Sequence, residues 1–266
     1  MIRTAAGLTG DGQIGGSFNY GGNMTLLNQG LISSQTSGRT ITINPASLTN
    51  SGTLEAVNGG ILTITPTNPW TSAGTINVGA TPSIVNLGGT FNATGGIGTW
   101  TNPSGTVNIN GTINAGSGAN TLTLNSSTGS WTLNGGTISG GTLGFANGQT
   151  LNIAAVNANL ITGVTVNGDL NLNVTSAATK IGGGTTFTTA HLAANASSLG
   201  IVPGQTLTGT VSFEGAVAGI RYVEMNGTAG TFTVGPAGFI QTTAGLTGDG
   251  NVGGSFNYGG AMTLAN

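Results

Sequence analysis

Three segments of one design recur along this chain at a fixed interval. LLNQGLISS from Leu26, LTNSGTLEA from Leu48 and WTSAGTINV from Trp70 align on an apolar residue, a polar pair and a glycine, with a spacing of 22 each time. WTNPSGTVNI from Trp100 and WTLNGGTISG from Trp131 extend the series at spacings of 30 and 31. A unit of this size cannot enclose a core of its own. It buries an apolar face only when neighbouring units stack on it, so the period specifies a repeat architecture.

The local pattern says which one. TITIN from Thr40, LTITP from Leu62, VNIN from Val107, TLTLN from Thr121, LNLNV from Leu170 and TFTV from Thr231 alternate aliphatic residues with Thr or Asn. Alternation at period two is the signature of a strand with one buried face. Gly-Thr followed by an apolar residue recurs at Gly52, Gly74, Gly89, Gly105, Gly111, Gly136, Gly141, Gly209 and Gly230. These steps read as turns into strands, with Gly supplying a positive φ and Thr favouring the pleated backbone. Only Thr189–Leu199 is Ala-rich enough to suggest a helix. The expected fold is therefore all-β: a β-solenoid of the right-handed parallel β-helix type, with coil lengths of about 22–31.

A longer repeat encloses the short one. Thr4–Asn28 and Thr242–Asn266 differ at only five aligned positions, at an offset of 238, and Ile2 also matches Ile240. Residues 1–238 thus read as one repeat unit, and residues 239–266 as the start of the next copy, continuous with the same solenoid. The expectation is an uncapped tandem repeat whose ends are each met by another copy, with a rise of roughly 40 to 50 Å per copy. The junction residues that repeat are Asp11, Phe18 and Tyr20, with Asp249, Phe256 and Tyr258 as their equivalents.

Stacking also accounts for the composition. Only 4% of the chain is charged, against roughly 25% in ordinary domains. Like charges on successive coils would lie about 4.8 Å apart and repel by about 0.9 kcal/mol even in water. Asn and Thr stack without that cost, because an amide or hydroxyl donates to one neighbour and accepts from the other. A net charge of −2 offers no basic surface for nucleic acid. The opening MIRTAAGLTG has no apolar core of a signal peptide, and no apolar run long enough to span a bilayer occurs, so membrane insertion is not expected. The absence of Cys excludes a disulfide scaffold.

The LTNSGTLEA, WTSAGTINV and WTNPSGTVNINGTINAG segments resemble the coils of bacterial secreted right-handed parallel β-helix proteins, the autotransporter passenger domains and filamentous-haemagglutinin-like adhesins. GLTGDGQIGGSF is similar to the Gly-rich strand repeats found with autotransporters. The resemblance implies an extracellular or cell-surface location.

Candidate chemistry is sparse. A polysaccharide lyase needs clustered carboxylates for a metal and a base for proton abstraction, yet Asp11, Glu55, Asp169, Glu214, Glu224 and Asp249 are scattered. Glu214 and Glu224 read as turn or surface carboxylates salted by Arg221, and His191 and Lys180 are singletons. The expectation is no catalytic residue, no metal and no cofactor. Leu26, Leu48, Trp70, Trp100 and Trp131 share one aligned position and read as an interior stack. The expected function is a structural fibre protein whose partners are other copies of itself, joined end to end and laterally. The alternative is an adhesin that binds a surface glycan through loops near Asn92–Thr99 and Ser176–Leu199, and the third reading is a polysaccharide-degrading β-helix enzyme.

Overall fold

The computed structural model describes residues 1–16 and 21–266, and at 119–120 the backbone alone. The described residues form 31 strands and no helix, hence none long and apolar enough to cross a membrane. Strands pair in parallel with strands one coil away in sequence, which makes the chain a β-solenoid. Two compact units are present: residues 1–116, 122–132 and 146–150 in one, residues 117–121, 133–145 and 151–266 in the other.

In the first unit three sheets take turns along the chain. One holds Ile2–Arg3, Leu31–Ser34, Thr53–Ala56, Thr75–Val78 and Thr99–Thr101. A second holds Gly12–Gly15, Thr40–Asn44, Ile61–Ile64, Ile84–Leu87 and Thr106–Ile109, and a third holds Thr25–Asn28, Ser47–Asn50 and Thr71–Ser72. Pairing is in register, so alternate residues form interior columns such as Ile41, Leu62, Val85 and Val107, all at most 3% exposed. The other face carries amides. Asn108 donates to Asn86, which donates to Thr63. At the corner after the third sheet the ladder runs inside: buried Asn28 donates to Asn50 at 2.8 Å and Asn50 to Ser72 at 3.0 Å.

The Gly-Thr steps differ from expectation in their reason. Gly89 and Gly141 have positive φ, 60° and 65°, but Gly52, Gly74, Gly105, Gly111, Gly209 and Gly230 do not. Close approach of backbones is what most of these sites require. A Cβ on Gly52 would lie 2.2 Å from the Gly30 carbonyl oxygen, and one on Gly74 2.1 Å from that of Gly52. Gly52, Gly74, Gly105 and Gly111 each sit on the carbonyl of a glycine one coil below, whereas Gly209 sits on that of Phe187 and Gly230 against the Pro203 ring.

The second unit repeats the arrangement. One sheet includes Leu170–Leu172, Thr189–Leu192, Thr210–Phe213 and Phe239–Thr242. Another includes Leu160–Thr162, Ala178–Gly182, Ser198–Ile201, Ile220–Met225 and Asp249–Gly254, and a third Thr206–Leu207, Gly230–Val234 and Met262–Ala265. Ile161, Ile181, Ile201 and Met225 make one fully buried column. The Ala-rich stretch is not helical: Thr189–Leu192 and Ser198–Ile201 are strands. Small side chains suit a close-stacked coil, and Ala196 turns the chain at φ 60° between them.

Candidate functional site

Of the five aligned residues, Leu26, Leu48 and Trp70 lie in one column. Leu26 pairs with Leu48, and Thr49 with Thr71, which carries Trp70 onto the same line. Trp70 is fully buried, and its ring stacks on Phe91 at 4.2 Å and 14°. Trp100 is a correction: it pairs with Ile76 in a different sheet. Trp131 is off the column too: its strand, Trp131–Leu133, belongs to the sheet of Ile61–Ile64 and Thr106–Ile109, and its ring meets that of Trp100 at 4.8 Å and 44°. The wider interval between Trp70 and Trp100 carries the chain past one corner, so the second tryptophan arrives on the next wall.

The repeat start is the other candidate site. Among the described residues its two copies form the same succession of three strands. Offset by 238, Ile2–Arg3, Gly12–Gly15 and Thr25–Asn28 correspond to Phe239–Thr242, Asp249–Gly254 and Met262–Ala265. φ agrees at Gly7 and Gly245, 77° and 85°, and at Gly15 and Gly253, 89° and 91°, but it is positive at Gly16 and Gly248 and not at their equivalents Gly254 and Gly10. Asp-Gly steps favour turns, yet at Asp11 and Asp249 they are not the turns of the repeat start. Those lie at Ala5–Leu8 and Thr243–Leu246, each closed by an amide to carbonyl bond of 3.2 Å, while Asp11 precedes a strand and Asp249 begins one. Asp11 accepts the Thr40 amide of the next coil at 2.9 Å. Phe18 and Tyr20 lie outside the described residues.

The second copy joins the first through all three walls. Thr210–Phe213 pairs with Phe239–Thr242, Ile220–Glu224 with Asp249–Gly254, and Gly230–Thr233 with Met262–Ala265. A β-bulge between Val223 and Glu224 breaks the second of these. Beyond it the chain leaves the ladder, as bulges dictate, and residues 256–258 fold over the preceding coil.

That fold-over is held by charge. Glu224 is fully buried and accepts four hydrogen bonds: from the Ser198 hydroxyl and from the successive amides of Phe256, Asn257 and Tyr258, the amides at 2.6, 3.1 and 3.2 Å. Three consecutive amides around a carboxylate form an anion nest. Phe256 stacks on Tyr222 at 4.7 Å and 3°, and Lys180 Nζ lies 5.8 Å from the Tyr258 ring centre, within cation–π range. Arg221, also fully buried, donates to the carbonyls of Val217, Gly219 and Thr247 at 2.7, 3.0 and 2.9 Å. Thr247 is the equivalent of Thr9, whose carbonyl accepts Arg39 at 2.8 Å. Most of the chain's few charged residues therefore lie in, or touch, a repeat start, leaving Glu55, Asp169 and Glu214 elsewhere.

Arg221 does not salt the two glutamates: its two terminal nitrogens donate to carbonyls, and its Nε has no partner among the described residues. Glu214 instead meets His191 Nδ1 at 2.8 Å, with Asp169 3.4 Å from His191 Nε2. The nearby Ser212 hydroxyl donates to Glu214, not to the ring. The two carboxylates face opposite ring nitrogens, so they converge on no common point, and no metal-holding cluster occurs among the described residues.

Sequence reasoning missed Ser198, Gly200 and Tyr222 as partners of the repeat start. The available signal was Arg221 and Glu224, two rare charges placed one coil before Thr247 and Gly250.

Burial, and then the Glu224 carboxylate, push the Tyr258 phenol above its ordinary range. In the unfolded chain a tyrosine ionises near pH 10, roughly. Above that pH the unfolded state has lost a proton that the folded state keeps, so stability falls as pH rises. Tyr258→Phe should flatten this alkaline loss in melts run from about pH 8 to about pH 11. Since the buried hydroxyl has no partner, the variant should match the parent at neutral pH. An unchanged alkaline slope would contradict the assignment.

No family model matches the chain, and neither a curated protein nor a solved structure matches it.

Proposed function

We propose that this protein is a non-catalytic structural element of an extracellular or cell-surface fibre, in which copies of the repeat stack end to end. The observation that carries the reading is the parallel pairing of the second copy on the first along all three walls, in register on two of them and interrupted by a bulge on the third. A boundary between copies uses the same parallel strand pairing as a boundary between coils, so growth can proceed by the pairing already present.

Surface apolarity supports the same reading. Of the large apolar residues exposed among those described, all but Val174, Val217 and Ile220 lie in residues 1–28 or 239–266, Ile2, Leu27, Phe239 and Leu264 among them. The upper face of Thr25–Asn28 is covered in this chain by Ser47–Asn50. The equivalent face of Met262–Ala265 fits the same kind of strand from another copy. Contacts of this type are heterologous and do not close, so a filament follows. Few surface charges oppose it.

Negative-stain images of the purified chain should show filaments with a rise of roughly 40 to 50 Å per copy. Compact monomers alone, at high concentration by light scattering, would overturn the reading.

A further inference from the structure

We propose that Asn147 is a site of spontaneous covalent modification, deamidating through attack by the Gly148 backbone nitrogen, while Ser83 protects the matching turn at Asn58. The inference is independent of the stacking reading and concerns chemistry that the turns themselves bring in.

Six Asn-Gly steps occur in the chain, at Asn58, Asn110, Asn134, Asn147, Asn167 and Asn226. Glycine has no side chain to hinder attack by its own nitrogen on the preceding side-chain amide, so such steps are the labile ones among asparagines. Two of the six fold alike. Asn58 and Gly59 have φ of 54° and 78°, Asn147 and Gly148 of 55° and 72°. Positive φ at both central residues is what a type I′ turn demands, and Asn-Gly is its preferred occupant. The first turn is closed by the Gly60 amide on the Val57 carbonyl at 2.9 Å, the second by the Gln149 amide on the Ala146 carbonyl at 3.2 Å.

Their surroundings differ. The Gly59 amide donates to the hydroxyl of buried Ser83 at 3.1 Å, and a Cβ on Gly59 would lie 2.8 Å from the Ser37 hydroxyl. Gly148 is exposed, nothing lies within 4 Å of where its Cβ would be, and its amide has no acceptor among the described residues. A nitrogen that holds a hydrogen bond must give it up before it turns on the side chain. The Gly148 nitrogen gives up nothing. The other steps are held as well: the amides of Gly111, Gly135 and Gly227 donate to Leu87, Asn159 and Gly259 at 2.9, 2.6 and 2.8 Å. Asn167 ends a strand, paired with Gly144, and a Cβ on Gly168 would lie 2.7 Å from the Phe145 ring.

In the reaction the Gly148 nitrogen bonds to Asn147 Cγ, and ammonia leaves with the proton that nitrogen carried. A cyclic succinimide remains. Water then opens it at either carbonyl, giving aspartate or the isoaspartyl form in which the main chain runs through the side chain. Either product adds one carboxylate and takes the net charge from −2 to −3.

The test incubates the full chain in warm, mildly alkaline buffer and follows each Asn-Gly peptide by the mass change from amide to acid. Conversion at Asn147 should run about tenfold or more faster than at Asn58, the factor that one hydrogen bond supplies. Ser83→Ala should raise the Asn58 rate by a similar factor and leave Asn147 unchanged. Hydrogen exchange on the same variant should show residues 53–78 as protected as in the parent, and the ranking within the parent chain requires no variant. Equal rates at Asn58 and Asn147, no conversion at Asn147, faster conversion at another step, or an Asn58 rate that Ser83→Ala leaves unchanged would overturn the proposal.

Discussion

Replacing Trp70 with alanine is expected to destabilise the first unit by about 3 to 5 kcal/mol, the range for deleting a large aromatic from a packed core. Trp70 is among the largest fully buried side chains. It stacks nearly flat on Phe91 at 4.2 Å, a geometry that contributes beyond area burial. Its indole nitrogen donates to the Gly88 carbonyl at 3.0 Å, which alanine would leave without that donor.

The site also resists collapse. Coil spacing there is held by backbone bonds, Trp70 amide to Thr90 and Asn92 amide to Trp70, both 2.8 Å, so the cavity stays open and its full cost is felt. Unfolding of a solenoid need not be all-or-none. The measurement is therefore hydrogen exchange resolved along the chain, with protection lost over residues 50–115. A loss below about 1 kcal/mol would mean that the site repacks, contrary to the rigid stacking argued here.

Gly74→Ala is expected to cost about 1 to 3 kcal/mol or more, through overpacking rather than a cavity. The new methyl carbon would lie 2.1 Å from the Gly52 carbonyl oxygen and 2.7 Å from the Ser51 carbonyl carbon. Both are backbone atoms, fixed by the ladder below, and neither can swing aside. A Cβ on Gly98 would in turn lie 2.3 Å from the Gly74 carbonyl oxygen, so a displaced coil transmits its shift upward. Gly95→Ala is the control, since nothing lies within 4 Å of its Cβ and its φ is ordinary. Denaturant midpoints of the two variants should differ clearly. Equal midpoints would show that the coils separate more readily than this geometry allows.

These two residues mark what was legible in the sequence and what was not. The stackable polar residues, the strand alternation and the identity of the two repeat starts are local or periodic properties, and each predicts its structural counterpart without knowledge of neighbours. Strands one coil apart do pair with like on like, as at Asn86 and Asn108, because register in a solenoid follows from residue spacing alone. Gly74 was visible as a glycine, but the carbonyl that excludes a side chain belongs to a residue one coil away. Trp100 was aligned with Trp70, yet the extra length of chain between them turns a corner, and only the folded chain shows which wall receives it. Glu224 and Arg221 looked like surface charges because no local pattern marks burial. Tertiary structure alone supplies the three amides and three carbonyls that make their burial possible: an ion leaves water only where partners from several coils converge, and convergence is not a property of any one stretch of sequence.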